Sequence, residues 1–309
     1  MTTSALLPRP GAGTLDDALD VLRGRRLAVL TGAGVSTDSG IPDYRGPDSP
    51  PRTPMTYQQF VGDEAFRRHY WARNHVGWRH VGRTEPNDGH RALAALERRG
   101  VVRGVITQNV DLLHQAAGSR EVIDLHGRYD RVLCLRCSTV YPRAVLAERL
   151  DALNPGFVES VGAVADIEIA PDADAVIERT SHFRVASCWA PDPDGGPAEC
   201  GGMLKPDIVY FGENVPKERV ARAFALVDGA QALLVAGSSL TVMSGLRFVR
   251  HAARTGLPVV IVNQGPTRGD DLATLTLDAG TTPTLQSLAT HLPTPTQPPT
   301  PLPTPLPPR

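Results

Sequence analysis

The chain has 309 residues, enough for one large core with a smaller second lobe. Lys and Arg total 32 against 33 Asp and Glu, so no overall basic field marks it for nucleic acid or an anionic membrane, and small partners are favoured. No apolar run approaches a membrane span and MTTSALLPRPGAG lacks a leader's apolar segment, so a cytoplasmic protein is expected, with its four cysteines as metal ligands or free thiols.

In chain order, Thr14 to Arg25 reads as a capped helix, with Asp17 three residues after Thr14 and Ala18, Val21 and Leu22 on one face. Leu27 to Leu30 is a short buried strand running into Thr31-Gly32-Ala33-Gly34 and a helix turn, a pattern that lets a pyrophosphate approach the backbone. Ser36, Thr37 and Ser39 add hydroxyl donors. The third glycine of the dinucleotide fingerprint is missing, so this G-x-G is equally compatible with a ligand-free turn. The next segment, Gly40 to Gly46, sets Asp43, Tyr44 and Arg45 where a loop over a dinucleotide can offer a carboxylate, an aromatic face and a guanidinium. Pro47, Pro50, Pro51 and Pro54 exclude regular structure and extend that loop as a cover.

Helical patterning resumes over Tyr57 to Val81, where Trp71, Trp78, His69, His75 and His80 read as amphipathic packing with solvated histidines in preference to a metal site. His90 opens a helix stopped by Gly100 and reads as structural. Val101 to Thr107 is a second core strand. Gln108, Asn109 and Asp111 follow at its carboxyl end, where open α/β sheets bind ligands, and they can bond ribose hydroxyls and a carboxamide; Asn109 can equally be the N-cap of a helix ending near Gly118. A third strand, Glu121 to Leu125, delivers His126 to the same edge, where an imidazole can act as general base.

Cys134 and Cys137 form a C-x-x-C knuckle, and eleven residues separate Cys188 from Cys200. Four thiolates at the two ends of one excursion from the sheet point to a tetrahedral structural zinc, with a redox dithiol as the alternative. Leu204 to Glu213 returns to the core. Helix Lys217 to Val227, strand Ala232 to Ala236 with Gly237-Ser238-Ser239, helix Ser244 to Thr255, and strand Pro258 to Val262 ending in Asn263-Gln264-Gly265 complete the alternation. Asn263 stands where many dinucleotide sites hold a ribose with an acid. The Pro-rich end from Pro293 cannot build a core.

GAGVSTDSGIPDYRG, TQNVDLLHQAAGS, LHG, the four cysteines, LKPDIVYFGE, GSSL and IVNQG occur in the order found in sirtuins, the NAD-dependent protein deacylases, which the chain resembles from about Leu27 to Leu285. YWARNHVGW, GSREVIDLHG, DRVLCLRC and GPTRGDDLATL resemble the class II, sirtuin-4-like branch. The resemblance implies an α/β fold: a Rossmann-type doubly wound parallel sheet over 27–285, a zinc lobe inserted at about 128–205, an N-terminal arm and helix over 1–26, and a C-terminal end over 286–309. It implies NAD as cosubstrate, one structural zinc on Cys134, Cys137, Cys188 and Cys200, and an acyl-lysine protein or peptide as substrate. Gly32, Ala33, Gly34, Asp43, Tyr44 and Arg45 would hold phosphates and the nicotinamide ribose; Gln108, Asn109 and Asp111 would line the ribose and carboxamide pocket. Gly237, Ser238, Ser239, Asn263, Gln264, Gly265 and the backbone near Thr281 would hold the adenosine end. The loops at Phe211-Gly212-Glu213 and Val242-Met243-Ser244 would take the substrate peptide as an added strand. His126, with Asn109, would be catalytic: the acyl oxygen attacks the ribose, nicotinamide leaves, and His126 takes a proton through the ribose hydroxyls. Arg52 and Tyr57 stand in the reverse of the Tyr-then-Arg order of succinyl-selective relatives, so an acidic acyl group is not expected. Mono-ADP-ribosyl transfer and a non-catalytic NAD-responsive module are the competing readings.

Overall fold

The computed structural model describes residues 12–43, 54–161, 180–196 and 198–295, with the side chain of His80 excepted. Tyr44, Arg45, Arg52, most of the Pro47–Pro54 cover and the Pro-rich end beyond residue 295 lie outside the described residues. Thr14 forms the expected capping box with Asp17 at the start of α1 (Leu15–Leu22), and its apolar stripe leads into β1 (Leu27–Thr31), buried at every position.

After β1 the chain makes two 3-10 turns, Ala33–Val35 and Thr37–Ser39, where a helix turn was expected. The Gly34 carbonyl explains the difference: the hydroxyls of Thr37 and Thr281 donate to it at 3.2 and 2.9 Å, and Gly40 then reverses the chain. The helical stretch from Tyr57 is two helices, α2 (Tyr57–Gly62) and α3 (Glu64–Val81). Asp63 divides them, its carboxylate accepting from the backbone N–H groups of Ala65 and Phe66. Next come α4 (Asp88–Arg98), β2 (Val102–Thr107), α5 (Leu113–Ala116), β3 (Val122–Asp124), β4 (Gly127–Cys134), β5 (Val140–Pro142), α6 (Arg143–Leu153), α7 (Phe157–Ser160) and β6 (Leu204–Ile208). The rest is α8 (Lys217–Asp228), β7 (Ala232–Ala236), α9 (Met243–Arg254), β8 (Val259–Val262), β9 (Leu275–Leu277) and α10 (Thr281–His291).

Six strands form one parallel sheet in the order β3-β2-β1-β7-β8-β9. The period-two alternation of a strand sorts its side chains onto two faces. Leu27, Val29, Leu234 and Val260 face α1, α4 and α10 through Leu22, Leu93 and Leu288; Ala28, Leu30, Leu233 and Ile261 face α8 and α9 through Leu226, Phe248 and Val249. This is the doubly wound arrangement, and its strand order reverses at β1, where β2 lies on one side and β7 on the other. The second sheet has three antiparallel strands, β5-β4-β6, packed on α2, α3 and α6 through Phe60, Trp71, Leu146 and Leu150. His75 in α3 is buried, not solvated as expected: it bonds Asp151 at 2.8 Å, and burial pushes its pKa down to about 4. Among the described residues, no helix is long and apolar enough to cross a membrane.

Candidate active site and cysteine centre

The loops after β1 and β7 touch at the switch point. Gly34 N–H donates to the Gly237 carbonyl at 2.9 Å, and Gly237 holds φ +64, where a Cβ would stand 2.5 Å from the Val35 nitrogen. At Gly32 a Cβ would meet the Gly237 carbonyl at 2.7 Å, so the two glycine loops close on each other only because neither carries a side chain. Ala33 opens the first 3-10 turn between them.

From β2 comes the polar floor. Asn109 Nδ2 donates to the Gly32 carbonyl at 3.1 Å and to Ser36 Oγ at 3.0 Å, and Ser36 Oγ donates to Asp111 Oδ2 at 2.7 Å. Asn109 is therefore not the helix cap that its sequence position also allowed. Leu112 precedes α5 at φ 64, and Asp111 accepts from Leu113 N–H at 3.0 Å. Asp111 is buried, and burial raises its pKa against the opposing pull of those hydrogen bonds.

Gln108 Nε2 donates to Ser238 Oγ at 2.7 Å, tying the β2 and β7 loops, and Thr281 is buried against the Gly34 carbonyl. One strand further out, Asn263 Nδ2 donates to the carbonyls of Gln264 and Gly265 at 2.8 and 3.1 Å, so it shapes its own loop. Ser239 bonds Thr241 at 3.0 Å, and Asp43 ends the first described stretch.

His126 follows β3, the outermost strand of the sheet, at the same carboxyl edge. Its Nδ1 lies 2.9 Å from the Gln108 carbonyl and its Nε2 lies 2.8 Å from Ser244 Oγ. A carbonyl only accepts, so Nδ1 carries the hydrogen and Nε2 keeps the lone pair. Burial, with Arg219 and Arg247 nearby, pushes the imidazole pKa down to about 4, so the ring is neutral near pH 7.

Three residues that sequence reasoning left outside the site belong to its floor. His90 Nε2 lies 3.5 Å from Ser36 Oγ, His114 Nε2 lies 2.9 Å from Thr31 Oγ1, and the two rings meet edge to face at 4.8 Å. Both are buried and held neutral, His90 with a pKa near 4. Ser244, expected only to border the peptide, touches His126 itself. His114 stands within TQNVDLLHQAAGS, but its place in the floor, like those of His90 and Ser244, is set by long-range contacts.

The cysteines gather in the second sheet. Their sulfurs lie within 4.8 Å of one another, with Cys134 to Cys200 at 3.7 Å and Cys137 to Cys188 at 3.6 Å. Four thiolates at about 2.3 Å around a tetrahedral zinc stand about 3.8 Å apart, so the set fits one zinc ion. Gly202 completes the cradle, because a Cβ there would meet Cys134 Sγ at 2.6 Å. The eleven-residue separation is absorbed by a turn in which Arg136 bonds both Asp192 and Asp194. All four positions are filled by protein, so the ion would be structural.

The Sir2 family model matches residues 32–244. The chain is 62% identical over 287 residues to NAD-dependent protein deacetylase 1 of Mycobacterium avium, covering 93% of this chain and 99% of that one. It is 52% identical to NAD-dependent protein deacetylase 1 of Streptomyces coelicolor, covering 94% of each. Among solved structures, a Sir2 complex with a p53 peptide and NAD+ aligns at TM-score 0.67 and 30% identity, over 90% of this chain and 98% of that one.

Proposed function

The chain belongs to the Sir2 family, and from that premise we propose that His126 is the general base of an NAD-dependent protein-lysine deacylase. The enzyme is an NAD-dependent protein deacetylase that uses NAD as cosubstrate and acts on protein. The observation that supports His126 as the base is its ring: neutral, held by the Gln108 carbonyl, and presenting Nε2 at the edge where the glycine loops meet.

Around that base each loop takes a task. Gly32, Ala33, Gly34, Asp43, Tyr44 and Arg45 bind the phosphates and nicotinamide ribose; Gln108, Asn109 and Asp111 bind ribose and carboxamide, with Ser36 and His90 bracing the last two. Gly237, Ser238, Ser239, Asn263, Gln264, Gly265 and Thr281 hold the adenosine half. Phe211 and Met243, large apolar side chains left exposed, are the two lips between which an acyl-lysine peptide adds as a strand. The catalytic unit is 27–285 with the zinc lobe inserted at about 128–205. Its motifs favour the class II, sirtuin-4-like branch, its free cysteines a cytoplasmic setting, and its charge balance argues against nucleic acid and membrane partners.

Mass spectrometry of an acetyl-lysine peptide incubated with enzyme and NAD tests this reading. The expected products are free lysine peptide, nicotinamide and O-acetyl-ADP-ribose. His126→Ala should lower turnover by about 100-fold or more with NAD affinity nearly unchanged. Turnover like the wild type in that variant removes His126 as the base, and ADP-ribosylated protein in place of O-acetyl-ADP-ribose moves the reaction to transfer.

A further inference from the structure

The lone pair that the base needs is already in use. With Nδ1–H committed to the Gln108 carbonyl, the 2.8 Å contact to Nε2 is made by the Ser244 hydroxyl as donor. A single lone pair accepts one strong hydrogen bond at a time, so a substrate hydroxyl that gives its proton to His126 must displace Ser244.

The contact is built into the fold. Ser244 lies in the first turn of α9, and the next residue, Gly245, packs against Gln108: a Cβ at 245 would stand 2.7 Å from Gln108 Oε1. The absent side chain lets the helix come near enough for residue 244 to reach the imidazole. Gln108 is itself fixed by Ser238, so the carbonyl, the ring and the serine form one supported line. The other end of that line reaches the surface: Ser244 adjoins Met243, one of the two exposed lips.

We infer that Ser244 is a positioning residue that caps His126 Nε2 until a docked peptide draws the Val242–Ser244 lip away, so that peptide length, and not the acyl-lysine alone, decides how readily the base is exposed. This rests on the reading of His126 as the base. A long peptide that pairs with both lips supplies the energy of uncapping, and a free acetyl-lysine analogue spans neither and must work against the cap.

The test is Ser244→Ala, a substitution that suits a helix turn, with Ser244→Thr as the variant that keeps the hydroxyl. Deacetylation is measured on an acetylated peptide of about ten residues and on N-acetyl-lysine amide. In Ser244→Ala, kcat/KM for the short substrate should rise relative to the peptide by about five- to ten-fold, the size of one neutral hydrogen bond. The acid limb of the pH profile should also move to higher pH, because the lost donor favoured the neutral ring while Arg219 and Arg247 stay in place. Ser244→Thr should restore both. An unchanged substrate ratio with an unmoved acid limb overturns the cap, and so does an equal loss on both substrates, which would make the hydroxyl a helper in the reaction. Failure of the wild type on both substrates would instead remove the deacylase reading.

Discussion

The six-stranded sheet and the three-stranded sheet each hold a cluster of chemistry-bearing side chains, but they hold it by opposite means. In the larger sheet the central strands β1, β7 and β8 are buried at every position, and the site is a set of loops that a finished core delivers to one edge. In the smaller one the four cysteines are themselves part of the hydrophobic cluster, beside Phe60, Trp71 and Leu204. The first site is expected to keep its walls without its ligand, and the second to depend on its ion.

The largest effect that can break this comparison is metal removal. Structural zinc contributes on the order of 10 kcal/mol to the folding of small metal domains. All three tryptophans, Trp71, Trp78 and Trp189, lie on the zinc-lobe side, so their fluorescence reads that half alone. A strong chelator should change it sharply and open the lobe to protease, while circular dichroism keeps the signal of the six-stranded sheet. Unaltered fluorescence after complete removal of zinc would show that the small lobe, too, stands on its own core.

A middle-sized effect comes from acid. His75 beside the zinc lobe and His90 in the floor of the large site have pKa values near 4 against an ordinary 6.5, and burial drives His114 well below that. These folded values are depressed, so the unfolded chain binds more protons below about pH 6.5. Their contribution to stability is fully present above 6.5 and is lost as pH falls toward 4. Denaturant midpoints measured across that window should fall in both fluorescence and circular dichroism; a flat profile would mean that these rings are already protonated in the fold.

The smallest effect is local to the large sheet. Thr14→Ala removes the capping box of α1 and should cost about 1 kcal/mol in the circular dichroism transition. A matching shift in tryptophan fluorescence would show that the lobes unfold as one unit.

The two regions also differed in how far they could be read from sequence. Leu27–Leu30 and Ala232–Ala236 announced their strands because unbroken apolar runs need burial on both faces, with small-residue loops directly after them, while Val101–Thr107 was legible from its valines and isoleucine on either side of Arg103-Gly104. The four-cysteine cluster was legible as composition, while the long Cys188–Cys200 spacing is accommodated by a turn that Arg136 braces. What the sequence hid was whatever depended on distant backbone. His90 and His75 were read from their own helices, yet Ser36 and Asp151, fifty-four and seventy-six positions away, define their surroundings. Ser244 reached His126 for the same reason, across a helix approach that one absent Cβ at Gly245 permits.

The excursion that carries the three-stranded sheet runs between His126 and Val209, whose N–H donates to the His126 carbonyl at 2.7 Å. Its entrance and exit are thus joined by this hydrogen bond beside the β4–β6 pairing of Gly127 with Ile208. A cassette with joined ends can gain or lose residues in its interior without moving either doorpost, since loop length adds little closure cost. The same hydrogen bond sets His126 beside Val209, two residues before the Phe211 lip, although the two are far apart along the chain. Grafting a relative's segment between residues 127 and 208 should therefore exchange the cysteine centre and its three-stranded sheet while leaving the Phe211 and Met243 lips and the cosubstrate pocket in place.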